Sequence, residues 1–299
     1  MNINNQTTVV ELKQIIQNWI TTNQSECFSK TITSLKHVLI SNLNPLGITV
    51  VMENINTATN SNTVRVLLNT RFGNRARCML NRQCNGVIYT ITNNSVELIC
   101  VPTEKAFTSY NKNEIRNGLE NNQYTVFMIQ DGTIINLYYY NNRWIISSSN
   151  GYEINHLVWR GVQFEQAVLS IKPDLFEKLN TQYCYTLRFK HPKIHPLQDE
   201  FSNTMQIMQC FDLNNLIKVN TDIELDWDYT VQPPNYKLLQ YQINHAFEHY
   251  FDYRTNKPQV FYGYILRNSS GRDILIESDL FKHLKKLIYD QPRNLTKLN

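Results

Sequence analysis

Apolar positions recur first at a helical interval and then, from about residue 63, at a strand interval. Val9, Val10, Leu12, Ile15, Ile16, Trp19 and Ile20 share one helical face, and Ile32, Leu35, Val38 and Leu39 share another, so two helices are predicted near the start. Residues 54–62 are polar and read as a loop. Beyond them, residues 64–68, 87–91 and 96–100 alternate or are rich in β-branched residues, as strands do, with Asn93-Asn94 as a hairpin turn. Strands are also predicted over 124–129, 134–140 and 143–147, the last two joined through Asn141-Asn142.

Downstream, a helix is predicted over 163–180 and strands over 183–190 and 204–211. A break at Gln232-Pro233-Pro234-Asn235 precedes a helix over 236–253, strands over 259–267 and 273–277, and an amphipathic basic helix over 279–289. No internal repeat is visible. The pattern predicts a strand-rich α+β domain over residues 63–299 behind a short helical N-terminal segment, residues 1–62.

Composition narrows the class. The chain has 299 residues, long enough for one large domain or two modest ones, and 17 Tyr and 13 Phe are too many for a disordered chain. Nine Gly and nine Pro exclude collagen-like and low-complexity sequences. Only 18% of residues are charged, and Asn, about an eighth of the chain, supplies the missing polarity. Such heavy Asn, Ile, Tyr and Lys usage points to AT-rich coding. A net charge of +4 permits nucleic-acid contact without arguing for it. No apolar run approaches the ~18 residues of a membrane helix, and the N-terminus lacks the order of a secretion signal. Six scattered cysteines without a CxxC pair read as reduced thiols, so an intracellular protein with no membrane partner is expected.

Local motifs are weak. His245-Ala246-Phe247-Glu248-His249 has inverted zinc-peptidase spacing but leaves little chain for a third ligand, and His191 and His195 flank Pro192. Asp222, Glu224, Asp226 and Asp228 read as a solvated strand face, so no metal site is expected.

More information lies in an ordered series of segments. Cys84-Asn85-Gly86-Val87-Ile88 is followed by Pro102-Thr103-Glu104-Lys105-Ala106-Phe107, Ile129-Gln130-Asp131-Gly132 and Ser147-Ser148-Ser149-Asn150-Gly151. Tyr185-Thr186-Leu187-Arg188-Phe189, Tyr262-Gly263-Tyr264-Ile265 and Leu275-Ile276-Glu277 follow. Over roughly residues 78–289 this resembles the phage-type RNA ligases of the covalent nucleotidyltransferase superfamily, which includes DNA ligases and mRNA capping enzymes. Their pattern is CRGI, a Pro-x-x-Lys-Phe-Phe-like strand, KxDG, a Ser/Thr-rich turn, Phe-Glu-Phe, EGYV and KxK. The resemblance implies a ligase-like fold of antiparallel sheets flanked by helices. In that family the KxDG lysine attacks a nucleotide α-phosphate, two glutamates help bind nucleoside and metal, and the final lysines stabilise charge on the phosphate.

This chain departs from the pattern at its reactive positions. Ile129 stands where the resemblance puts the nucleophile, Asn85 at the CRGI arginine, Arg188 and Tyr262 at the glutamates, and Leu275 and Glu277 at the two lysines. Lys105, Asp131 and Gly132 are kept and are the candidates to line a nucleotide cleft. No catalytic residue is therefore expected, and no cofactor; ATP or GTP with Mg would be needed only by an active enzyme. The expected function is a catalytically inactive RNA-ligase-like protein that binds single-stranded RNA or another protein. A divergent active ligase or capping-type enzyme is one alternative, and a structural virion protein is another. Arg188, Lys190 and Lys193, with His191 and His195 beside Tyr185 and Phe189, are candidate RNA contacts, as are Lys282, Lys285, Lys286, Arg293 and Lys297. AT-rich coding together with the resemblance suggests a large DNA virus.

Overall fold

The computed structural model describes residues 1–289 except positions 2, 5, 24–26, 58–59, 71–77, 94, 107–110, 130–131, 196–202, 221–222, 224–229, 232–233, 246–250, 253–256, 259–261 and 270–272. Its helices and strands begin with α1 (Val9–Thr22), α2 (Phe28–Leu43), β1 (Ile48–Thr57), β2 (Asn60–Thr70), α3 (Met79–Gln83), β3 (Asn85–Ile91) and β4 (Val96–Cys100). Next come α4 (Lys112–Glu120), β5 (Tyr124–Met128), β6 (Thr133–Tyr140), β7 (Arg143–Ser147), β8 (Val158–Trp159), β9 (Val162–Gln163), α5 (Phe164–Ile171) and α6 (Leu175–Lys178). The rest are β10 (Tyr183–Lys190), β11 (Thr204–Asp212), β12 (Ile217–Val219), β13 (Thr230–Val231), α7 (Tyr236–Asn244), β14 (Phe251–Asp252), β15 (Lys257–Pro258), β16 (Gly263–Asn268), β17 (Asp273–Glu277) and α8 (Asp279–Tyr289). The fold is α+β, with antiparallel pairing throughout the described strands.

The chain forms two compact units. The first comprises Met1–Lys105, Gly132–Pro196 and Asn203–Trp227. Its sheets run β1-β2-β3-β4 and β12-β11-β10-β6-β7. Helix α1 starts at a reciprocal cap, in which the Thr8 hydroxyl accepts from the Glu11 amide and the Glu11 carboxylate accepts from the Thr8 amide. Its apolar stripe, Val9, Leu12, Ile16 and Ile20, shares one core with Leu35 and Leu39 of α2 and Val66, Leu68, Val87 and Tyr89 of the first sheet. Tyr89 donates to the Val9 carbonyl at 2.7 Å. The N-terminal helices are thus built into the sheet that follows them, and the position between residues 62 and 63 falls inside β2. A second core packs Ile135, Leu137, Leu187 and Phe189 of the other sheet against Phe164 and Val168 of α5 and Leu175 of α6.

The second unit comprises Ala106–Asp131, Leu197–Ser202 and Asp228–Asn299. Its sheet runs β13-β5-β16-β17. One face, with Tyr124, Val126, Tyr264, Leu266, Ile274 and Ile276, packs on Ile115 and Leu119 of α4 and Leu239 of α7.

Several sequence readings change. Residues 54–62 are not a loop at their described positions, because β1 pairs with β2 from Ile48↔Thr70 to Thr57↔Asn60, and backbone pairing accepts polar residues on an outward face. The helix expected over 163–180 is two short helices, because Pro173 lacks the N–H that would continue α5. The helix expected over 236–253 stops at Asn244, and Phe251–Asp252 pairs as a strand. His245 is the cap that follows that helix end, and residues 246–249 of the zinc-like spacing lie outside the described residues. The acidic residues Asp222, Glu224, Asp226 and Asp228 also lie outside them.

Candidate functional site

In the first unit, β10 turns alternate side chains to opposite faces. Tyr185, Leu187 and Phe189 enter the core with α5 and α6, which leaves Thr186, Arg188 and Lys190 on the other face. That face is polar yet buried. Thr186 accepts from the Thr103 amide at 2.9 Å and donates to Asn136 Oδ1 at 3.2 Å, and Gln209 donates to the Val101 carbonyl at 3.1 Å. Arg188 is 8% exposed and Lys190 only 1%. Gly132, with φ of +146°, opens the adjoining strand; a Cβ there would lie 2.9 Å from the Phe189 carbonyl oxygen and 3.0 Å from Arg188 Cγ. The kept glycine therefore lets β6 approach β10. Asp131 lies outside the described residues.

The start of β3 builds the next part of the same unit. Gly86 has φ of +101°, and a Cβ on it would come within 2.8 Å of Ser149 Cα. This close approach joins the Cys84–Ile88 segment to the Ser148-Ser149 turn, two pieces far apart in sequence. Asn85 donates to the Thr103 carbonyl at 3.5 Å. Arg82 pairs with Glu104, which also accepts from Gln83 at 3.3 Å. Beside it, burial holds the Lys105 ammonium below the usual lysine range.

In the second unit, the sheet face away from α4 and α7 carries most of the positions that the resemblance assigns to charge. Ile129 and Tyr262, 4% and 3% exposed, pack with Ile265 and Phe281 in one apolar cluster, and Leu275 and Phe127 lie against it. The Tyr262 and Phe281 rings meet edge to face at 4.7 Å. The backbone fixes this group: Ile129 donates to the Gly263 carbonyl at 2.9 Å, and Ser278 donates to the Tyr262 carbonyl at 2.9 Å. Gly263, with φ of +127°, is required because a Cβ would fall 2.0 Å from the Ile276 carbonyl oxygen. Glu277 lies opposite Gly263 in the pairing with β16. This cluster supplies no amine and no fixed positive charge, so these residues do not fit the lysine-bound nucleotide that the resemblance implies.

The expected RNA contacts are redistributed. Tyr185 and Phe189 are core residues, and Arg188, Lys190, His191 and His195 are buried; only Lys193 of that stretch is exposed. The reason is the same alternation that gave β10 two covered faces. His195 Nδ1 accepts from the His191 amide at 2.9 Å while Nε2 meets the Thr133 hydroxyl at 2.9 Å, so this imidazole closes the turn after β10. Burial first, and the nearby Lys193 charge second, lower the His191 pKa. On α8, Lys282 is exposed and pairs with Asp279 at 2.9 Å. Lys285 and Lys286 lie on the same helix with their side chains outside those described, as are Arg293 and Lys297. Among the described residues no group of three or more His, Cys, Asp or Glu could hold a metal ion, and no helix is long and apolar enough to cross a membrane. The Thr186–Asn136–Thr103 interior was missed from sequence, although the polar-apolar alternation of residues 185–190 carried the signal.

No family model matches the chain. A protein named "Putative RNA-ligase" from a tick isolate of African swine fever virus from Malawi is 25% identical over 260 residues, covering 73% of this chain and 57% of the relative. The protein of that name from the Badajoz strain is 23% identical over 265 residues, with the same coverage. The chain thus spans little more than half the length of the curated relatives it matches. An archaeal ATP-dependent RNA ligase superposes with a TM-score of 0.49 at 7% identity, over 87% of this chain and 67% of its own, a likeness too loose to carry an assignment. By its sequence relatives, and in agreement with its ordered motifs, the chain is RNA-ligase-like, with its kin in a large DNA virus.

Proposed function

We propose that this chain is a catalytically silent RNA-ligase-like protein on a nucleotidyltransferase scaffold, acting inside the cell by binding RNA. The observation that carries the reading is the cluster of Ile129, Tyr262, Ile265 and Phe281 with Leu275 against it. Where the resemblance calls for an amine, a carboxylate and a second amine, the side chains are hydrocarbon or phenol. Isoleucine has no lone pair with which to attack phosphorus. The RNA partner is supported by what the relatives are named for, and the modest positive charge of the chain permits it.

Incubation with α-labelled ATP or GTP and Mg, followed by a denaturing gel, tests the silence: no covalent label is expected, and a label that survives denaturation overturns it. The opposing reading, an active enzyme, has one observation in its favour. Lys105 is the kept lysine, and its burial-lowered pKa leaves more of it as the nucleophilic free amine. A label abolished by Lys105→Ala would establish that reading instead.

A further inference from the structure

The β8–β9 hairpin presents an exposed aromatic ring and, beside it, an exposed cation. Val158 pairs with Gln163 and Trp159 with Val162, and the two residues between, Arg160 and Gly161, have φ of +50° and +76°. Positive φ at both central positions marks a tight primed turn, which favours Asn, Asp or Gly at its first place; an arginine there is disfavoured backbone geometry. Its presence is a local conflict that folding does not explain.

The hairpin is held firmly at its base. Phe164 donates to the Leu157 carbonyl at 3.0 Å, Glu165 to the Asn155 carbonyl at 3.2 Å, and Gln163 Nε2 meets His156 Nδ1 at 2.8 Å. Asn155, buried, accepts from the Ile146 amide at 2.8 Å and so ties the base to β7. From this anchored base Trp159 projects at 47% exposure and Val158 at 61%. Among the described residues no carboxylate lies within ion-pair distance of Arg160, which is exposed at the tip.

We propose that this hairpin is a single-stranded RNA contact, with Trp159 as the platform for one unpaired base and Arg160 on an adjoining phosphate. The proposal rests on the RNA-binding reading above and places its contact on the hairpin, away from the buried Arg188 and Lys190. Ring and cation on neighbouring residues match the two chemistries of a single strand, π-faces and an anionic backbone. The positive tip is complementary to that backbone. Val158, on the opposite side of the two-residue strand, takes no part.

The test is anisotropy of a fluorescent mixed-sequence 15-nucleotide RNA with the full chain at low salt. Trp159→Ala and Trp159→Leu are expected to weaken binding at least about fivefold, and Trp159→Phe to stay within about twofold, because only a ring can stack. Arg160→Gly should weaken binding while raising the melting temperature, since glycine suits the turn, and should reduce the salt slope by roughly 0.7 for the lost phosphate contact. Val158→Ser should change nothing. RNA binding that survives Trp159→Ala overturns the hairpin site and leaves the RNA reading standing. No RNA binding by the wild-type chain overturns both. Equal losses in Trp159→Leu, Trp159→Phe and Val158→Ser would mark an apolar docking surface for protein or lipid and also reject the proposal.

Discussion

The five-stranded sheet of the first unit and the four-stranded sheet of the second each have one face packed on helices and one face at positions of chemical interest. On the first, that face is buried and polar, with Asn136, Thr186, Arg188, Lys190 and Gln209. On the second it is buried and apolar, with Ile129, Tyr262, Ile265 and Leu275. A buried polar face constrains every residue on it, since each donor and acceptor must find a partner. An apolar face requires only volume. The second unit's face is thus held by packing, while the first unit's face is held by directional hydrogen bonds.

This contrast can be broken from either side. The largest effect is expected in the second unit from Gly263→Ala, whose Cβ would meet the Ile276 carbonyl oxygen at 2.0 Å from a backbone at φ +127°. A loss of about 4 kcal/mol should appear as early thermal unfolding, and a stable variant would mean the β16–β17 register is wrong. Next, Ile129→Lys introduces the lysine that the resemblance calls for but buries an ammonium among Tyr262, Ile265 and Phe281. A loss of about 3 kcal/mol at pH 7 is expected, with no covalent nucleotide label. Its folded-state pKa would lie below the unfolded value, so the unfolded chain binds the extra proton and stability should rise with pH up to about 10.4. Robust labelling by this variant would defeat the silent reading.

The first unit is sensitive in the opposite direction. It holds all six cysteines, none in a disulfide. Burial first, then neighbouring Cys184, pushes Cys210 up to about 11, and burial drives Cys84 and Cys100 further up. The folded state keeps protons that the unfolded chain loses above pH 9, so stability should fall as pH rises from 9 toward 11. A drop of roughly 2 kcal/mol by pH 10 should be visible in urea midpoints of the first unit. Smaller still, Thr186→Val should cost about 1 kcal/mol by orphaning the Thr103 amide, whereas Leu275→Met in the second unit should cost less than that. Equal costs would erase the distinction between the two faces.

Where sequence reading worked, the signal was local. The stripe from Val9 to Ile20 marked α1, and Asn141-Asn142, with φ of +50° and +60°, gave the hairpin between β6 and β7. Reading failed where a distant partner decided the state. The mostly polar stretch from residue 54 was read as a loop, yet Asn54, Ile55, Thr57 and Asn60 pair across β1 and β2, and the Arg160-Gly161 turn was not read at all. Of the site, the loss of charge at Ile129, Tyr262 and Leu275 was legible once the motifs were aligned, because a missing functional group needs no coordinates.

The order of segments and the identity of each side chain, and hence the absence of an amine at residue 129, were determined by the sequence alone. Only the tertiary structure decided that Ile129, Tyr262 and Phe281 close into one cluster and that Arg188 and Lys190 are buried while Trp159 is exposed. The physical reason is that burial belongs to what packs across a face. A strand's alternation says that two faces differ, but strands and helices remote in sequence determine which of them is covered.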